Sequence, residues 1–255
     1  MNYIEVNPHI SVVMATYNGD LYVIQQIKSI LLQLGAGDEV IVSDDHSTDS
    51  TIDLIAELQD SRIKLVFPAV SRGPIANFEH GLIHATKEVV VLSDQDDVWL
   101  PGRLDIIRNH FKKSRFPFDL LVLNSHVVDG QLETIEPSVF QLVGCGPGIL
   151  KNLYRNTYIG CHMAFRRSLL TVALPFPHRI PMHDVWLGLV SELMGSVTFH
   201  AEPSMLFRRT GKNFTKARYT WKTRILWRLN LVLYLMWFML YRKKSSSSSL
   251  LGEAF

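Results

Sequence analysis

Residues 89–99 read Val-Val-Val-Leu-Ser-Asp-Gln-Asp-Asp-Val-Trp, an apolar run that leads directly into an acidic loop. Consecutive apolar residues are typical of a strand that is buried on both faces, as in the middle of a parallel sheet. The loop places the carboxylates of Asp94, Asp96 and Asp97 at the end of that strand. Because such carboxylates repel one another unless a cation lies among them, the stretch predicts a site where Mg²⁺ or Mn²⁺ meets phosphate. The alternative is a solvated turn whose acids cap the next helix.

The composition is that of an ordinary globular chain. Its 255 residues are enough for one large α/β domain with a small appendage, and 47% apolar and 20% charged residues exclude a disordered protein. The two cysteines, Cys145 and Cys161, lack the spacing of a zinc site and fit a reducing compartment. The first residues do not form a basic region followed by an apolar run, so we expect no signal peptide and a cytoplasmic location.

A net charge of +2 conceals two parts of opposite charge. Residues 1–207 carry 15 Lys and Arg against 23 Asp and Glu, whereas residues 208–255 carry 11 against 1. A basic tail on an acidic body predicts an anionic partner for the tail, such as phosphate groups or lipid headgroups. No nucleic-acid motif accompanies the charge, so we do not expect a nucleic-acid partner.

The first 125 residues alternate between short apolar runs and helical patterns, which predicts βαβ units around a parallel sheet. We predict strands at Ile10–Ala15, Glu39–Ser43, Ile63–Phe67 and Val89–Leu92, and helices at Leu21–Leu34, at 50–58 and from Pro74. In such sheets ligands bind beyond the carboxyl ends of the strands. The polar loops at Thr16–Gly19, Asp44–Asp49 and Ser93–Asp97 are therefore expected at one edge of the sheet.

The second half of the chain is less regular. The patterns predict strands at Asp119–Asn124, Thr157–Phe165 and Ser204–Arg209, helices at Ser168–Ala173 and Met182–Met194, and an irregular loop over Gln131–Gly148. We expect one domain over residues 1–218, with its two halves meeting near residue 125. A basic and apolar helix over 219–244 and a disordered tail over 245–255 complete the expected organisation.

Residues 225–241 are strongly apolar and are flanked by basic residues. The uninterrupted part, Leu231–Tyr241, has 11 residues. A helix needs roughly 20 residues to span a bilayer, so this run is short for that purpose. Its Trp and Tyr residues and its basic flanks are typical of a helix that lies in the headgroup region. A helix that packs on the domain or on a partner subunit explains the same pattern.

The acidic loop is the last of three motifs that occur in a fixed order. Ser11–Gly19, Asp44–Asp49 and Ser93–Trp99 each follow a predicted strand, and together they resemble the family 2 glycosyltransferases with the GT-A fold. The resemblance covers residues 10–110 and continues more weakly to about residue 215. The Ser-Asp-Gln-Asp-Asp form followed by Val-Trp is most similar to the bacterial rhamnosyltransferase branch. The resemblance implies an α/β fold, with a Rossmann-like, mostly parallel central sheet flanked by helices and a C-terminal helical extension.

The resemblance also implies a site for a nucleotide-diphosphate sugar. The nucleotide-binding positions would be Thr16, Tyr17, Asn18, Asp44, Asp45 and Asp94. A carboxylate at Asp44 or Asp45 suits the imide N–H of uracil or thymine. Asp96 would bind Mg²⁺ or Mn²⁺ directly, which neutralises the diphosphate and the charge on the leaving group. Arg208 and Arg209, in a basic loop that reaches Asn213, would bind the diphosphate, although a solvated basic surface explains the same residues.

The remaining implied roles concern the sugars and the proton. Asp97, Trp99, Gly160, His162 and His183 would contact the donor or acceptor sugar. Asp184, in the segment Met182–Trp186, would be the general base, but His183 stands where the family more often has Glu, which leaves open which of them takes the proton. The plainer explanations are a core strand around Gly160 and a helix cap at Asp184.

The expected function is inverting, metal-dependent transfer of a sugar, rhamnose from dTDP-rhamnose, to a hydroxyl of a growing surface glycan. The enzyme would be of the hexosyltransferase class, lie on the inner face of the plasma membrane and use an acceptor that can be lipid-linked. A UDP-hexose or UDP-N-acetylhexosamine donor is the alternative. A sugar nucleotidyltransferase would need a basic residue in its phosphate loop, and Thr16–Leu21 has none. A non-catalytic subunit at the membrane is a further alternative, against which the intact Asp45, Asp96 and Asp184 argue.

Overall fold

The computed structural model describes residues 7–71, 73–210 and 220–249, with side chains described as far as residue 240. This part of the chain forms a nine-stranded sheet covered by helices. The strands are β1 (Ile10–Thr16), β2 (Glu39–Asp44), β3 (Ile63–Val66), β4 (Val89–Ser93), β5 (Val98–Trp99), β6 (Asp119–Val128), β7 (Thr134–Glu136), β8 (Met163–Arg166) and β9 (Ser196–Arg208). The helices are α1 (Val23–Leu31), α2 (Thr51–Ala56), α3 (Pro74–Ile83), α4 (Arg103–Lys113), α5 (Val139–Val143), α6 (Ile149–Tyr154), α7 (Leu170–Ala173), α8 (His183–Met194) and α9 (Trp221–Ser249).

One half of the sheet is parallel and confirms the predicted βαβ units. β3, β2, β1 and β4 are neighbours in that order, and each pair is parallel. Every residue of β2 and β4 is buried, as expected for strands that are covered on both faces. The register pairs Thr16 with Asp44 and Met14 with Ser93, so the carboxyl ends of β1, β2 and β4 lie nearly level. The polar loops that follow these strands therefore share one edge.

Beyond β4 the sheet is mixed. β8 lies between β4 and β6 and is antiparallel to both, while β9 runs parallel to β6 and pairs at its end with the short β5. The pairing of β6 with β9 shifts register around Asn124. Such irregularities bend a strand and increase its twist. The sheet consequently curls, and the end of β9 reaches β5 beside the acidic loop.

Several segments of the second half differ from the prediction. The strand expected over Thr157–Phe165 begins only at Met163, because Gly160–His162 form a 3₁₀ turn. The loop expected over Gln131–Gly148 contains β7, whose side chains are all exposed, and the short α5. β9 begins at Ser196, well before the predicted Ser204. Its first half is only partly buried, so the apolar pattern that marks a strand is weak there.

Two apolar cores lie on opposite faces of the sheet. Val12 and Met14 of β1 belong to one core, together with residues of α1 and α4, while Val13 belongs to the other, with residues of α3 and α8. Successive side chains of a strand point to opposite faces, so β1 contributes to both. The sheet is thereby held rigidly between helices, which fixes the position of the loops at its edge.

Helix α9 extends the second core. Its buried residues Leu231, Leu235 and Phe238 join the cluster that contains Trp186 of α8. Their spacing of three to four residues defines one face of the helix. Other apolar side chains of α9 are exposed: Leu226, Leu229, Leu233, Met236, Trp237 and Leu240. The helix continues to Ser249, so residues 245–249, which were predicted as part of a disordered tail, are helical, and residues 250–255 lie outside the described residues.

Within the described ranges, one segment is long and apolar enough to cross a membrane by length and composition alone. It is Trp221–Leu240, with a mean hydropathy of 1.2. This segment includes the polar residues Arg228 and Asn230, which precede the uninterrupted apolar run Leu231–Tyr241. The limits predicted for the domain and its helical extension stay a prediction.

Gly195 follows the last residue of α8 and lies against Phe118, just before β6. A substitution at this position tests the packing of the second half of the chain. A Cβ atom at Gly195 would lie 1.7 Å from the carbonyl oxygen of Phe118, a backbone atom that cannot rotate away. We predict that Gly195→Ala lowers the free energy of unfolding by about 1–3 kcal/mol, the usual cost of overpacking. Urea denaturation measures the change.

Gly35→Ala is the matched control for this variant. A Cβ atom at Gly35 would lie 3.5 Å from Asp38 Oδ2, which is an ordinary contact. Denaturation midpoints that are equal for the two variants would show that the backbone around Phe118 yields, and the prediction would be wrong.

Candidate active site

The three predicted loops meet at the carboxyl edge of the parallel half. The backbone N–H of Tyr17 donates to Gln95 Oε1 at 2.9 Å, and Gln95 Nε2 donates back to the carbonyl oxygen of Tyr17 at 3.0 Å. The backbone N–H of Thr48 donates to Asn18 Oδ1 at 2.8 Å. The loop after β1 therefore contacts both the loop after β2 and the acidic loop after β4. The predicted clustering of these loops is confirmed.

Gln95 has a structural role that the sequence analysis did not assign. Its side-chain amide forms hydrogen bonds with both the backbone N–H and the carbonyl oxygen of Tyr17, as a neighbouring strand would. The close approach requires a glycine nearby, because a Cβ atom at Gly19 would lie 2.4 Å from Gln95 Oε1. In the sequence, the one indication of this role is that Gln95 lies between Asp94 and Asp96.

Asp44 and Asp45 shape the loop after β2. The buried carboxylate of Asp44 accepts hydrogen bonds from Thr16 Oγ1 at 2.7 Å and from the hydroxyl and backbone N–H of Ser47 at 2.6 and 2.7 Å. Asp45 Oδ2 accepts from Ser71 Oγ at 2.8 Å and from the backbone N–H of Gly73 at 3.1 Å. Both carboxylates therefore hold backbone conformation, and a contact of either with a base stays a prediction.

Tyr17 and Asn18 form the turn that follows β1. Asn18 has a positive φ of 46°, a conformation that Asn tolerates better than most residues. The turn leaves the side chain of Tyr17 with 54% of its surface exposed. An exposed aromatic ring at this edge offers a flat surface on which a base could stack.

The acidic loop and the 3₁₀ turn before β8 together form a compact cluster of metal-ligand atoms. An oxygen of Asp94, an oxygen of Asp97 and Cys161 Sγ all lie within 4.8 Å of one another. Asp97 is completely buried, and its Oδ1 accepts from the backbone N–H of Arg208 at 3.0 Å. Its Oδ2 has no hydrogen-bond partner among the described residues. Asp96, the predicted metal ligand, lies in the same loop but outside this trio, and its assignment stays a prediction.

Burial and mutual repulsion perturb these carboxylates. Desolvation, reinforced by the charge of Asp96, raises the pKa of Asp94 to about 6, while the charge of Arg209 opposes the rise. The same two causes raise the pKa of Asp97 well above its ordinary value. Carboxylates that resist ionisation are stabilised in the charged form by a cation. The cluster therefore fits a divalent metal ion, and the side chains of Asp94, Asp97 and Cys161 are best placed to hold it.

Arg103, at the start of α4, is a buried cation beside this cluster. Its Nη1 donates to Ser204 Oγ at 2.7 Å, and its Nη2 donates to the carbonyl oxygen of Cys161 at 3.0 Å. Burial lowers its pKa to about 10, and the charge of Asp97 opposes the decrease. Arg103 was not among the predicted site residues, because a single Arg at a helix start belongs to no motif. Its side chain links α4 to β9 and to the 3₁₀ turn that carries Cys161.

Arg208 and Arg209 differ in what their guanidinium groups can do. Arg208 Nε donates to the carbonyl oxygen of Asp96, and the two Nη atoms donate to the carbonyl oxygen of Gly130 and to Gln25 Oε1, each at 2.7 Å. In this conformation all of these donors are used within the protein, and the predicted contact of Arg208 with a diphosphate stays a prediction. Arg209 is exposed beside the cluster and remains the candidate for that role. Residues 211–213 of the predicted basic loop lie outside the described residues.

Two predicted sugar-binding side chains are buried. Trp99 has 3% of its surface exposed and lies in the first core, with the guanidinium carbon of Arg103 5.0 Å from its ring centre. His162 is also buried, and its Nε2 forms a hydrogen bond of 2.8 Å with Ser125 Oγ. Both side chains pack inside the protein, and their predicted contact with a sugar stays a prediction.

His183 is packed between aromatic rings at the start of α8. Its ring centre lies 4.2 Å from that of Phe78 and 6.3 Å from that of Phe176, and neither ring nitrogen has a hydrogen-bond partner among the described residues. A Cβ atom at Gly160 would lie 2.6 Å from His183 Nε2, so a glycine is needed there. Burial lowers the pKa of His183 to about 3. The imidazole is thus neutral and a weak base.

Asp184, the next residue, is the stronger base. Burial raises its pKa to about 7, and the charge of Asp94 adds to the rise. Asn156 Nδ2 donates to Asp184 Oδ1 at 3.2 Å and also to the carbonyl oxygen of Tyr158 at 3.1 Å. Asn156 Oδ1 accepts from the backbone N–H of Tyr158 at 3.0 Å, which fixes the amide in this orientation. Asn156, like Arg103, was not among the predicted site residues.

Comparisons with curated proteins give relatives among bacterial glycosyltransferases. The chain is 35% identical over 176 residues to an uncharacterized glycosyltransferase of Nostoc sp., which covers 65% of this chain and 53% of that protein. It is 26% identical to the UDP-Glc:alpha-D-GlcNAc-diphosphoundecaprenol beta-1,3-glucosyltransferase of Escherichia coli, over 72% of this chain and 70% of that protein. A dTDP-rhamnosyl transferase of Shigella flexneri is 34% identical over 36% of this chain and 34% of its own length. The chain spans about half the length of the Nostoc relative.

Solved structures share the fold. TarS residues 1–349 of S. aureus, in complex with UDP-GlcNAc, match with a TM-score of 0.68 and 19% identity over 83% of this chain and 62% of that chain. A mannosyltransferase of Pyrobaculum calidifontis, in complex with GDP-Man and Mn²⁺, matches with a TM-score of 0.58 and 21% identity over 82% and 59% of the two chains. The predicted GT-A-type α/β fold with its C-terminal helix is confirmed.

The family model described as glycosyl transferase family 2 matches residues 11–171. The match includes the three loops at the sheet edge and the 3₁₀ turn with Cys161, so it covers the cluster of Asp94, Asp97 and Cys161. With the motifs, the fold and the relatives in agreement, the chain belongs to glycosyl transferase family 2.

Proposed function

We propose that this protein is an inverting glycosyltransferase that moves a sugar from a pyrimidine nucleoside diphosphate to a hydroxyl of a lipid-linked glycan. The proposal of a pyrimidine donor is supported by two relatives, whose names specify UDP-Glc and a dTDP-rhamnosyl group. The rhamnose donor rests on the shorter of these matches, and UDP-glucose is the second candidate because the E. coli relative matches over 72% of this chain. The E. coli relative is named for a diphosphoundecaprenol-linked acceptor.

Asp184 is the observation that carries the proposal. A general base works best when its pKa lies near the operating pH, because it is then largely deprotonated yet still basic. The pKa of about 7 at Asp184 meets this condition, whereas the pKa of about 3 at His183 does not. Asp184 also lies close enough to the acidic cluster for the charge of Asp94 to raise its pKa. The base and the cluster can therefore act on one substrate.

The reaction follows from these positions. The carboxylate of Asp184 accepts the proton of the acceptor hydroxyl as the oxygen attacks the anomeric carbon. The bond from that carbon to the diphosphate oxygen breaks, and the nucleoside diphosphate leaves with the electron pair. A single displacement on the face opposite the leaving group inverts the anomeric configuration. Asp184 then releases its proton to solvent, which restores the base.

A cation would complete the diphosphate site. When bound, Mg²⁺ or Mn²⁺ supplies positive charge that stabilises the departing diphosphate. Asp94 and Asp97 would hold it from the protein side, and Asp96 is proposed to bind it directly. Arg209, exposed at the same edge, would add a charge-assisted hydrogen bond to a phosphate oxygen.

The donor is identified by a panel of nucleotide sugars. The purified protein is mixed with dTDP-rhamnose, UDP-glucose, UDP-N-acetylglucosamine or GDP-mannose, with Mg²⁺ or Mn²⁺ and a lipid-linked glycan acceptor. We expect release of the nucleoside diphosphate with a pyrimidine donor and not with GDP-mannose. Release with GDP-mannose alone would contradict the proposed donor class.

Two variants separate donor binding from transfer. We predict that Asp184→Asn binds the donor as the wild type does but loses transfer by on the order of 100-fold or more, because it removes the base. Asp96→Asn should instead lose metal-dependent donor binding, as isothermal titration with and without the metal would measure. Donor affinity that falls in Asp184→Asn and stays unchanged in Asp96→Asn would reverse the proposed roles.

Asn156 predicts a shift in the pH profile. Its hydrogen bond stabilises the charged form of Asp184 and so lowers the pKa that burial raises. Transfer requires the carboxylate, so activity should rise as the pH passes upward through this pKa. We predict that Asn156→Ala moves this acidic limb to higher pH. The measurement is kcat/KM against pH.

Asn109→Ala is the control, since Asn109 lies on the exposed side of α4. It should leave the acidic limb in place. A limb that moves to lower pH in Asn156→Ala, or that moves equally in both variants, would contradict the proposed contact between Asn156 and the base.

We also propose that α9 attaches the protein to a membrane surface. The helix is fixed to the body along one side: Tyr234 Oη donates to the carbonyl oxygen of His178 at 2.7 Å, and Arg228 Nε donates to that of Tyr154 at 3.2 Å. Its other side presents apolar residues, and α6 adds Leu150 and Tyr154, both largely exposed. A helix that is packed on a domain along its length can lie in the headgroup region more readily than it can span a bilayer.

Charge favours a lipid partner for this surface. Residues 221–249 contain no acidic residue, and basic residues flank the apolar segment on both sides. Exposed Trp237 is a residue type that prefers the boundary between apolar and polar regions of a bilayer. Anionic headgroups on the cytoplasmic side of a membrane attract such basic segments.

The attachment is tested with vesicles. We predict that the wild type floats with vesicles that contain phosphatidylglycerol and that a Leu233→Glu, Trp237→Glu double variant binds roughly tenfold less, because two exposed apolar contacts are lost. Leu32→Glu is the control, since Leu32 lies at the end of α1 and is 87% exposed. Equal flotation of all three proteins would contradict the proposal, as would a concentration-dependent dimer that the double variant abolishes without a change in flotation.

A further inference from the structure

Cys161 lies at the centre of the acidic cluster, although thiols are not expected among the ligands of Mg²⁺. Its side chain is completely buried, and Sγ lies within 4.8 Å of an oxygen of Asp94 and of an oxygen of Asp97. The donation from Arg103 Nη2 to the carbonyl oxygen of Cys161 fixes the backbone at this point. The backbone of the 3₁₀ turn that carries the thiol is thereby tied to α4, while Sγ itself forms a hydrogen bond of 3.4 Å with His162 Nδ1.

Asp97 gives an independent indication that a ligand belongs here. A buried carboxylate oxygen without a partner is costly, and most buried polar atoms avoid this state. Asp44 follows the rule, since both of its oxygens accept hydrogen bonds. Asp97 departs from it, because Oδ1 has a backbone partner while Oδ2 has none among the described residues. An ion bound between Asp97 and Cys161 would satisfy this oxygen.

The donor atoms decide which ions fit. Two carboxylate oxygens and one sulfur form a mixed set, and sulfur ligands favour Co²⁺, Zn²⁺ and Cd²⁺ over Mg²⁺. Bonds from such ions to oxygen and sulfur are about 2.0–2.3 Å long, so ligand atoms around one ion lie about 3.3–3.8 Å apart. The three atoms lie within 4.8 Å of one another, so binding would require them to move closer together.

We propose that Cys161 is a thiolate ligand in a cation site with Asp94 and Asp97, and that this site selects borderline and soft divalent ions over Mg²⁺. The inference rests on the cation site of the proposed function and adds its ion preference. Binding replaces the S–H bond by a bond between sulfur and the metal, and the proton passes to the solvent. No electron is transferred in this step.

The chain offers a matched pair of variants for the test. Cys145, the other cysteine, lies outside the cluster and donates from Sγ to the carbonyl oxygen of Thr157 at 3.1 Å. The wild type, Cys161→Ser and Cys145→Ser are titrated with Co²⁺, whose bond to a thiolate gives a charge-transfer absorption band in the near ultraviolet. We expect the band in the wild type and in Cys145→Ser, and its loss in Cys161→Ser with a Co²⁺ affinity lower by about tenfold or more.

Absence of the band in the wild type, or its persistence in Cys161→Ser, would overturn the inference. X-ray absorption at the cobalt edge of the wild-type protein provides a second measurement that needs no variant. A sulfur atom in the shell of the ion supports the inference, and a shell of oxygen and nitrogen alone refutes it.

Failure of this inference is distinguishable from failure of the proposed function. Sugar transfer with Mg²⁺ by a protein that shows no sulfur–cobalt bond would refute the thiolate ligand alone. A sulfur–cobalt bond in a protein that transfers no sugar from any donor of the panel would refute the proposed function alone.

Discussion

The site depends on the contact between the end of β9 and the acidic loop. Arg208 donates from its backbone N–H to Asp97 Oδ1 and from Nε to the carbonyl oxygen of Asp96, so a single residue holds two neighbours of the loop. The loop carries three carboxylates that repel one another, and these two hydrogen bonds fix its backbone and one carboxylate oxygen against β9. The curl of the sheet makes this contact possible, because β9 pairs with β6 along its length and its last residues reach β5 beside the acidic loop.

The same electrostatic arrangement links the metal-ligand atoms to the base. Burial and the charge of Asp96 raise the pKa values of Asp94 and Asp97, and at Asp94 the charge of Arg209 opposes the rise. The charge at Asp94 in turn raises the pKa of Asp184. A cation that neutralises the cluster therefore also adjusts the base. The two functional parts of the site cannot be tuned independently.

The parallel half of the fold could be predicted because its signals are local. The apolar run at Val89–Leu92 and its counterparts are buried on both faces, so neighbouring residues alone reveal the strands. The burial of Trp99, His162 and Arg208 could not be predicted, because it depends on long-range packing that involves β9 and α4. Gln95, Arg103 and Asn156 escaped notice for the same reason. Their partners are backbone groups or residues distant in the sequence, which no spacing of residue types announces.

Trp186 carries a further consequence. It lies one half-turn beyond Asp184 on α8, and its ring contacts Tyr234 and Phe238 of α9, with ring centres 6.4 and 6.2 Å away. The helix that carries the proposed base therefore packs against the helix proposed to rest on lipid. With α9 on a bilayer, the catalytic carboxylate would keep a constant height and tilt above the plane in which a lipid-linked acceptor diffuses. Encounter would become a search in two dimensions, and the local concentration of acceptor would be set by membrane area instead of cell volume.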